Sequence, residues 1–264
     1  MEVQVKIISV CNQKGGVGKT TTAINISACL AASEMKTLLI DMDSQCNATT
    51  GIGIEKNSID ISIYDVLTSQ KYNDTNISIK DSIIKCKQIE FLDIIPSNIN
   101  MASAEIELVN VMAREKLLYN AINELKDHYD FIIIDSPPSL GLITINVLTA
   151  TKSVLIPIQC EYYALEGLAE LLNTIRLVQK NLNKNLYIEG VLLTMYDNRL
   201  NLSKQVAEDV RNCFSGKVFK SVVPRNVKLS ESPSFGKPII LYDIMSSGAE
   251  CYLNLTKEIM QNGK

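Results

Sequence analysis

Lys6-Ile7-Ile8-Ser9-Val10 leads through Cys11-Asn12-Gln13 into Lys14-Gly15-Gly16-Val17-Gly18-Lys19-Thr20-Thr21, and then into a helix-forming stretch ending near Ala32. Strand, glycine loop, Lys-Thr and helix, in that order, build a cradle for phosphate. Gly15, Gly16, Val17 and Gly18 let successive backbone N–H groups turn toward one centre, and the helix N-terminus adds partial positive charge. In such a cradle Lys19 reaches the β- and γ-phosphates of a nucleotide, the Thr20 hydroxyl meets Mg²⁺, and Thr21 lies within reach of the α-phosphate. The usual phosphate loop has glycine where Gln13 stands. This chain has an additional lysine instead, Lys14, ahead of the double glycine. Lys14 sits at the mouth of the loop, outside the space that Lys19 fills. It serves either as a surface cation or as a ligand for a second nucleotide held by a facing subunit.

Carboxylates are expected around this cradle. Leu38-Leu39-Ile40-Asp41-Met42-Asp43 ends the second apolar run with two acids. Residues two apart on a strand share a face, so both point to the crevice at the strand ends, where open α/β sheets bind ligands. Phe131-Ile132-Ile133-Ile134-Asp135 delivers a third. Four apolar residues bury that strand and one carboxylate emerges at its end, suited to hold Mg²⁺ through water. Asp also caps helices, but Pro137 and Pro138 point to a loop. Phosphoryl transfer is mostly positioning and charge neutralisation. It requires no histidine or cysteine, which agrees with a lone His128 and seven scattered cysteines that form no CxxC pair.

Short apolar runs alternate with helix-period stretches along the 264 residues, the pattern of an α/β fold. Strands are expected at 6–10, 37–40, 91–95, 131–134, 153–156, 187–193 and 218–223. Helices are expected at 20–32, 102–126, 142–149, 165–181, 203–214 and 249–260. Several strands are continuous Ile/Leu/Val runs, as in a mostly parallel twisted sheet with helices on both faces. Leu165, Leu168, Leu172 and Ile175 recur at helical spacing and should face that sheet. Residues 44–88 are polar, with weak periodicity, and read as surface loops and short helices. One domain over residues 1–264 is the expected organisation. The apolar window 140–158 is broken by Asn146, Lys152 and Pro157, so no membrane span is expected. With no signal peptide and no paired cysteines, a reduced cytoplasmic setting is expected.

The segment Gln13–Thr22 resembles the deviant Walker A motif of the ParA/MinD class of P-loop NTPases. The resemblance implies an Mg²⁺-dependent ATPase that forms a homodimer when ATP-bound, with Lys14 crossing to the partner's phosphates. It implies that Asp43 positions the water that attacks the γ-phosphate, with Lys19 and Lys14 completing the catalytic set, and that Asp41 supports Mg²⁺. Ser44 and Cys46 depart from the Pro and Gly usual in that class, beside the water-positioning residue.

The C-terminal third bears on the output of the ATPase. From 196 to 240 there are eight cations and four acids, a surplus of four that leaves −7 for the remainder of a chain whose net charge is −3. A basic region on an acidic protein suits a polyanion partner. The segments 194–209 and Val223-Pro224-Arg225-Asn226-Val227-Lys228-Leu229-Ser230-Glu231-Ser232-Pro233, with Gly236-Lys237-Pro238 and Tyr242-Asp243, resemble the ParA/Soj chromosome-partitioning branch. That resemblance implies non-specific double-stranded DNA binding through Arg199 and Lys228, with Lys204 and Lys220 as further candidates. It also implies that Pro224 and Asn226 border the adenine, that a ParB-type centromere-binding protein stimulates slow hydrolysis, and that the protein associates with the nucleoid. Two other readings share the loop. A MinD-like membrane-associated division-site ATPase needs a basic amphipathic C-terminal helix, and residues 252–264 offer only Lys257 and Lys264 as cations. An iron–sulfur reductase of the nitrogenase iron-protein kind needs two placed cysteines, and only Cys160 lies at a plausible strand end.

Overall fold

The computed structural model describes residues 5–72, 77–162 and 166–262. Among these residues eight strands are formed: β1 (Lys6–Val10), β2 (Thr37–Asp41), β3 (Ile84–Lys85), β4 (Leu92–Ile95), β5 (Phe131–Asp135), β6 (Ser153–Gln159), β7 (Tyr187–Tyr196) and β8 (Val218–Pro224). They join one sheet in the order β3-β4-β2-β5-β1-β6-β7-β8. Every neighbouring pair is parallel except β3–β4.

The α-helices are α1 (Lys19–Ala32), α2 (Asn47–Gly51), α3 (Ile63–Tyr72), α4 (Met101–Glu107), α5 (Leu117–Ile122), α6 (Leu142–Ala150), α7 (Glu166–Asn181), α8 (Asn201–Cys213), α9 (Val227–Glu231), α10 (Ile239–Tyr242) and α11 (Ser247–Gln261). They cover both faces. Leu38, Ile40, Ile132 and Ile134 point into one core with α4 to α8, while Leu39, Phe131 and Ile133 point into another with α1 and α11. That alternation is the period-2 geometry of a strand buried on both sides, and it explains why the strand sequences are continuously apolar. On α7, Leu168 and Ile175 are buried and Leu172 is partly buried against the first core, as the spacing predicts; Leu165 lies outside the described residues.

The expected helix over 102–126 is not continuous. It divides into α4, a 3₁₀ turn at Arg114–Lys116, α5 and a second 3₁₀ turn at Asn123–Leu125. Ala113 has a φ of 53°, left-handed, where a helix cannot continue. Val109 and Met112 face solvent, so the apolar stripe is interrupted there. Asn146 of α6 stabilises the break: its Nδ2 donates to the Arg114 carbonyl (2.8 Å) and its Oδ1 accepts from the Leu118 N–H (3.3 Å). In the polar stretch 44–88 the structure adds a short antiparallel edge strand, β3, to the expected loops and short helices.

The register positions the site. Val10 of β1 and Asp41 of β2 both lie opposite Asp135 of β5. Three strand ends therefore open at the same level, beside the N-terminus of α1.

Candidate nucleotide site

The glycine loop turns from β1 into α1 with Gly16 at φ 75° and Gly18, the residue before the helix, at φ 91°. Both lie in the left-handed region that favours glycine. Nothing stands within 4 Å of where a Cβ would be at Gly15 or Gly16, so the loop is open to approach at both positions. The loop is anchored from outside: Asn12 Nδ2 donates to the Pro157 carbonyl (2.7 Å), Asn12 Oδ1 accepts from the Lys14 N–H (3.0 Å), and Thr194 Oγ1 donates to the Val17 carbonyl (2.8 Å).

The two lysines of the loop differ in setting. Lys19 is buried, and its Nζ donates to the Lys14 carbonyl across the loop (3.0 Å). Burial lowers its pKa, opposed by Asp135 and then by Cys11 and Asp43. The Lys14 side chain is 37% exposed, and its Nζ lies 4.0 Å from Glu161 Oε2, outside the cradle.

The acids divide into two kinds. Asp135 is fully buried, and both its carboxylate oxygens lack a hydrogen-bond partner among the described residues. Burial, with Asp41 nearby, pushes its pKa well up, while Thr20 and Lys19 pull it down. A buried carboxylate with no partner, next to a threonine hydroxyl and a lysine, fits a hydrated Mg²⁺. Asp41 differs. Its Oδ2 accepts from the Thr49 N–H (2.9 Å) and hydroxyl (2.7 Å), and its Oδ1 accepts from the Asp43 N–H (3.1 Å). Burial raises its pKa to about 6 against those bonds. Asp41 therefore holds α2 and the backbone of Asp43 and does not stand free in the crevice, so any support it gives Mg²⁺ is indirect. Asp43, beyond the strand end, is half-buried, and its Oδ1 accepts only from the Gln45 N–H (3.0 Å) among the described residues. Cys46, where the family pattern has glycine, caps α2 at a φ of 56°. The turn keeps its glycine-type conformation despite the side chain, which is buried.

A cavity of about 450 Å³ continues from the loop, lined by Gly18, Thr21, Met195, Pro224, Asn226 and Tyr252 among others. It has the size for a nucleoside. Pro224 and Asn226, expected beside the adenine, both line this cavity. Asn226 Oδ1 caps α9 by accepting from the Lys228 (2.8 Å) and Leu229 (3.3 Å) N–H groups, and its Nδ2 donates to Ser247 Oγ (2.9 Å). Met195 and Tyr252 were not foreseen. Met195 follows Thr194 at a φ of 51°, and the Tyr252 hydroxyl lies 3.1 Å from Thr22 Oγ1 of α1. Only the tertiary return of α11 to α1 brings Tyr252 to the site.

A family model for an AAA domain matches residues 5–188. The sporulation initiation inhibitor protein Soj of Bacillus subtilis is 58% identical over 98% of this chain and 99% of its own. The chain belongs to the ParA/Soj family. The chromosome partitioning protein ParA of Myxococcus xanthus is 53% identical, covering 97% of this chain and 88% of its own. Among solved structures, the cobyrinic acid a,c-diamide synthase of Mycobacterium smegmatis with bound ATP analogue and magnesium is 32% identical at a TM-score of 0.82, covering 96% of this chain and 93% of that one. This ParA/Soj protein is thus a partitioning ATPase of the P-loop class.

Of the four cations expected on the DNA face of the ParA/Soj chain, three lie toward the carboxyl end of the sheet. Arg199 follows β7, Lys204 is in the first turn of α8, and Lys228 is in α9. Lys220 is set apart. It lies in β8, four residues before Pro224 and so about 13 Å down the strand, and its backbone N–H donates to Glu258 of α11 (2.8 Å). The fold does not gather it with the others. Arg199 is bound by Asp197: Nε to Oδ1 2.9 Å, Nη2 to Oδ2 2.7 Å. Those bonds hold the Asp197 carboxyl down at about 2. Among the described residues no helix is long and apolar enough to cross a membrane. The apolar face of α11, with Leu255 and Ile259, is buried in the core beside α1, which leaves little of it for a lipid surface. Cys160 is buried at the end of β6, and burial raises its thiol to about 11.

Proposed function

We propose that this ParA/Soj ATPase is an ATP-dependent dimerisation switch that holds non-specific double-stranded DNA in its closed form. Its setting is the cytoplasm, on the nucleoid. One observation carries the reading: Lys19 occupies the inside of the phosphate loop, while Lys14, on the same loop, leaves its ammonium group outside. A cation in that place has no phosphate of its own to meet, and the nucleotide of a facing protomer supplies one.

ATP binds with its phosphates over Gly15–Thr21 and its base in the cavity bordered by Pro224 and Asn226. Asp135 and the Thr20 hydroxyl would hold Mg²⁺, which would supply neutralisation of phosphate charge. Asp43, the acid with a free oxygen at the mouth, orients the attacking water. Cleavage of the β–γ bridging bond releases ADP and phosphate, and the two protomers part. A ParB-type centromere-binding protein stimulates the slow basal rate, and DNA is released with the dimer. A repeated cycle of this kind segregates a chromosome or plasmid.

Lys14→Ala tests the central step. The variant binds ATP with parental affinity, measured with a fluorescent ATP analogue, yet stays monomeric in size-exclusion chromatography with light scattering. A variant that dimerises like the parent overturns the role given to Lys14.

A further inference from the structure

We propose that Arg225 is the central DNA-phosphate contact of this protein, ahead of Arg199 and Lys228; the assignment rests on the DNA-binding reading above. Tyr196 of β7 lies beside Pro224 of β8 in register, and the Arg225 N–H donates to the Tyr196 carbonyl (3.2 Å). The chain ends that follow, Asp197-Asn198-Arg199 and Arg225-Asn226-Val227-Lys228, therefore emerge side by side on one rim of the sheet. Three cations stand there, and two are already met by acids of the same chain. Asp197 holds the Arg199 guanidinium through two near-parallel bonds. Glu231 lies 3.4 Å from the Lys228 ammonium, which also stands 5.6 Å from the centre of the Tyr242 ring. Arg225 is exposed, and its side chain has no ion pair or hydrogen bond among the described residues.

Charge arithmetic then ranks the three. A phosphate approaching Arg199 or Lys228 meets a pair of no net charge and must compete with a carboxylate for the same N–H groups. A phosphate approaching Arg225 meets a guanidinium with all five side-chain donors open, on which Asp197 acts only through space while its oxygens are bonded to Arg199. Arg225 also borders the nucleotide cavity, so the cation that grips DNA sits between Pro224 and Asn226, the two residues placed against the base.

The test uses the full-length protein loaded with a non-hydrolysable ATP analogue and a duplex of arbitrary sequence, with retention measured as salt is varied. Each phosphate neutralised contributes about 0.9 to the slope of log affinity against log salt. Arg225→Ala is expected to lower the slope by about that amount per protomer. Arg225→Lys keeps the slope, and Arg199→Ala and Lys228→Ala each lower it by less than half as much. Asp197→Asn, which frees the Arg199 fork, steepens it. A parental slope in Arg225→Ala, or an equal loss in Arg225→Lys, overturns the assignment while leaving the DNA-binding reading in place. Loss of analogue binding by both Arg225 variants also overturns it, because it assigns the side chain to the nucleotide. A parent protein that retains no duplex in any nucleotide state overturns the DNA-binding reading itself.

Discussion

Asp135 and Asp41 sit opposite each other on neighbouring strands, yet the structure gives them different work. Asp41 accepts from Thr49 and the Asp43 backbone, whereas neither buried oxygen of Asp135 has a hydrogen-bond partner among the described residues. Asp43, tied only through one oxygen, stands at the mouth. Asp43→Ala is therefore expected to leave ATP binding intact and lower turnover at least tenfold, trapping the dimer on DNA; phosphate release and filter retention check both parts. Cys46 makes a second residue-scale case. A non-glycine residue in the left-handed region is strained by about 1 kcal/mol, and burial of the thiol offsets much of that. Cys46→Gly should change unfolding free energy by less than about 1 kcal/mol, whereas the β-branched Cys46→Val should destabilise by about 2 kcal/mol. Urea denaturation midpoints distinguish them.

At the scale of elements, the C-terminal third closes the nucleoside cavity because it is fastened to α1. Asn25 Oδ1 accepts from the Ile239 N–H (2.7 Å), Asn25 Nδ2 donates to the Thr21 carbonyl (2.8 Å), and Thr22 meets Tyr252. Asn25→Ala leaves a buried N–H of α10 without an acceptor. It is expected to cost about 2 kcal/mol of stability and to weaken analogue binding several-fold, read by urea titration and fluorescence. The strands and the order strand–loop–helix were legible in the sequence because two-sided burial writes itself as unbroken apolar runs. Such runs from Lys6, Thr37 and Phe131 mark where β1, β2 and β5 lie. The phosphate loop was legible because its chemistry is local. What escaped depends on distant partners. The break in the helix expected over 102–126 needs Asn146 of α6, the capture of Asp41 needs Thr49, and the site position of Tyr252 needs α11 to return to α1. The basic surplus at 196–240 was readable as a number, but which cations share a face was not. Strand register groups Arg199 with Arg225 and leaves Lys220 behind.

Taken as a whole molecule, the chain places nucleotide contacts and the basic rim at one end of a single sheet. Thr194 joins them: its hydroxyl holds the phosphate loop through Val17, and its strand ends at Tyr196, from which the chain runs on to Asp197 and Arg199. An event at the loop is thus one hydrogen bond and a few residues of chain away from the basic rim, and in the proposed cycle Lys14 couples it to a second protomer. The most direct measurement is duplex retention together with light-scattering mass, on the same sample, with no nucleotide, ADP, and Mg²⁺ plus a non-hydrolysable ATP analogue. The account predicts monomers that release DNA in the first two states and a dimer that retains it in the third. Monomers in all three states, binding duplex equally well with and without nucleotide, would contradict it.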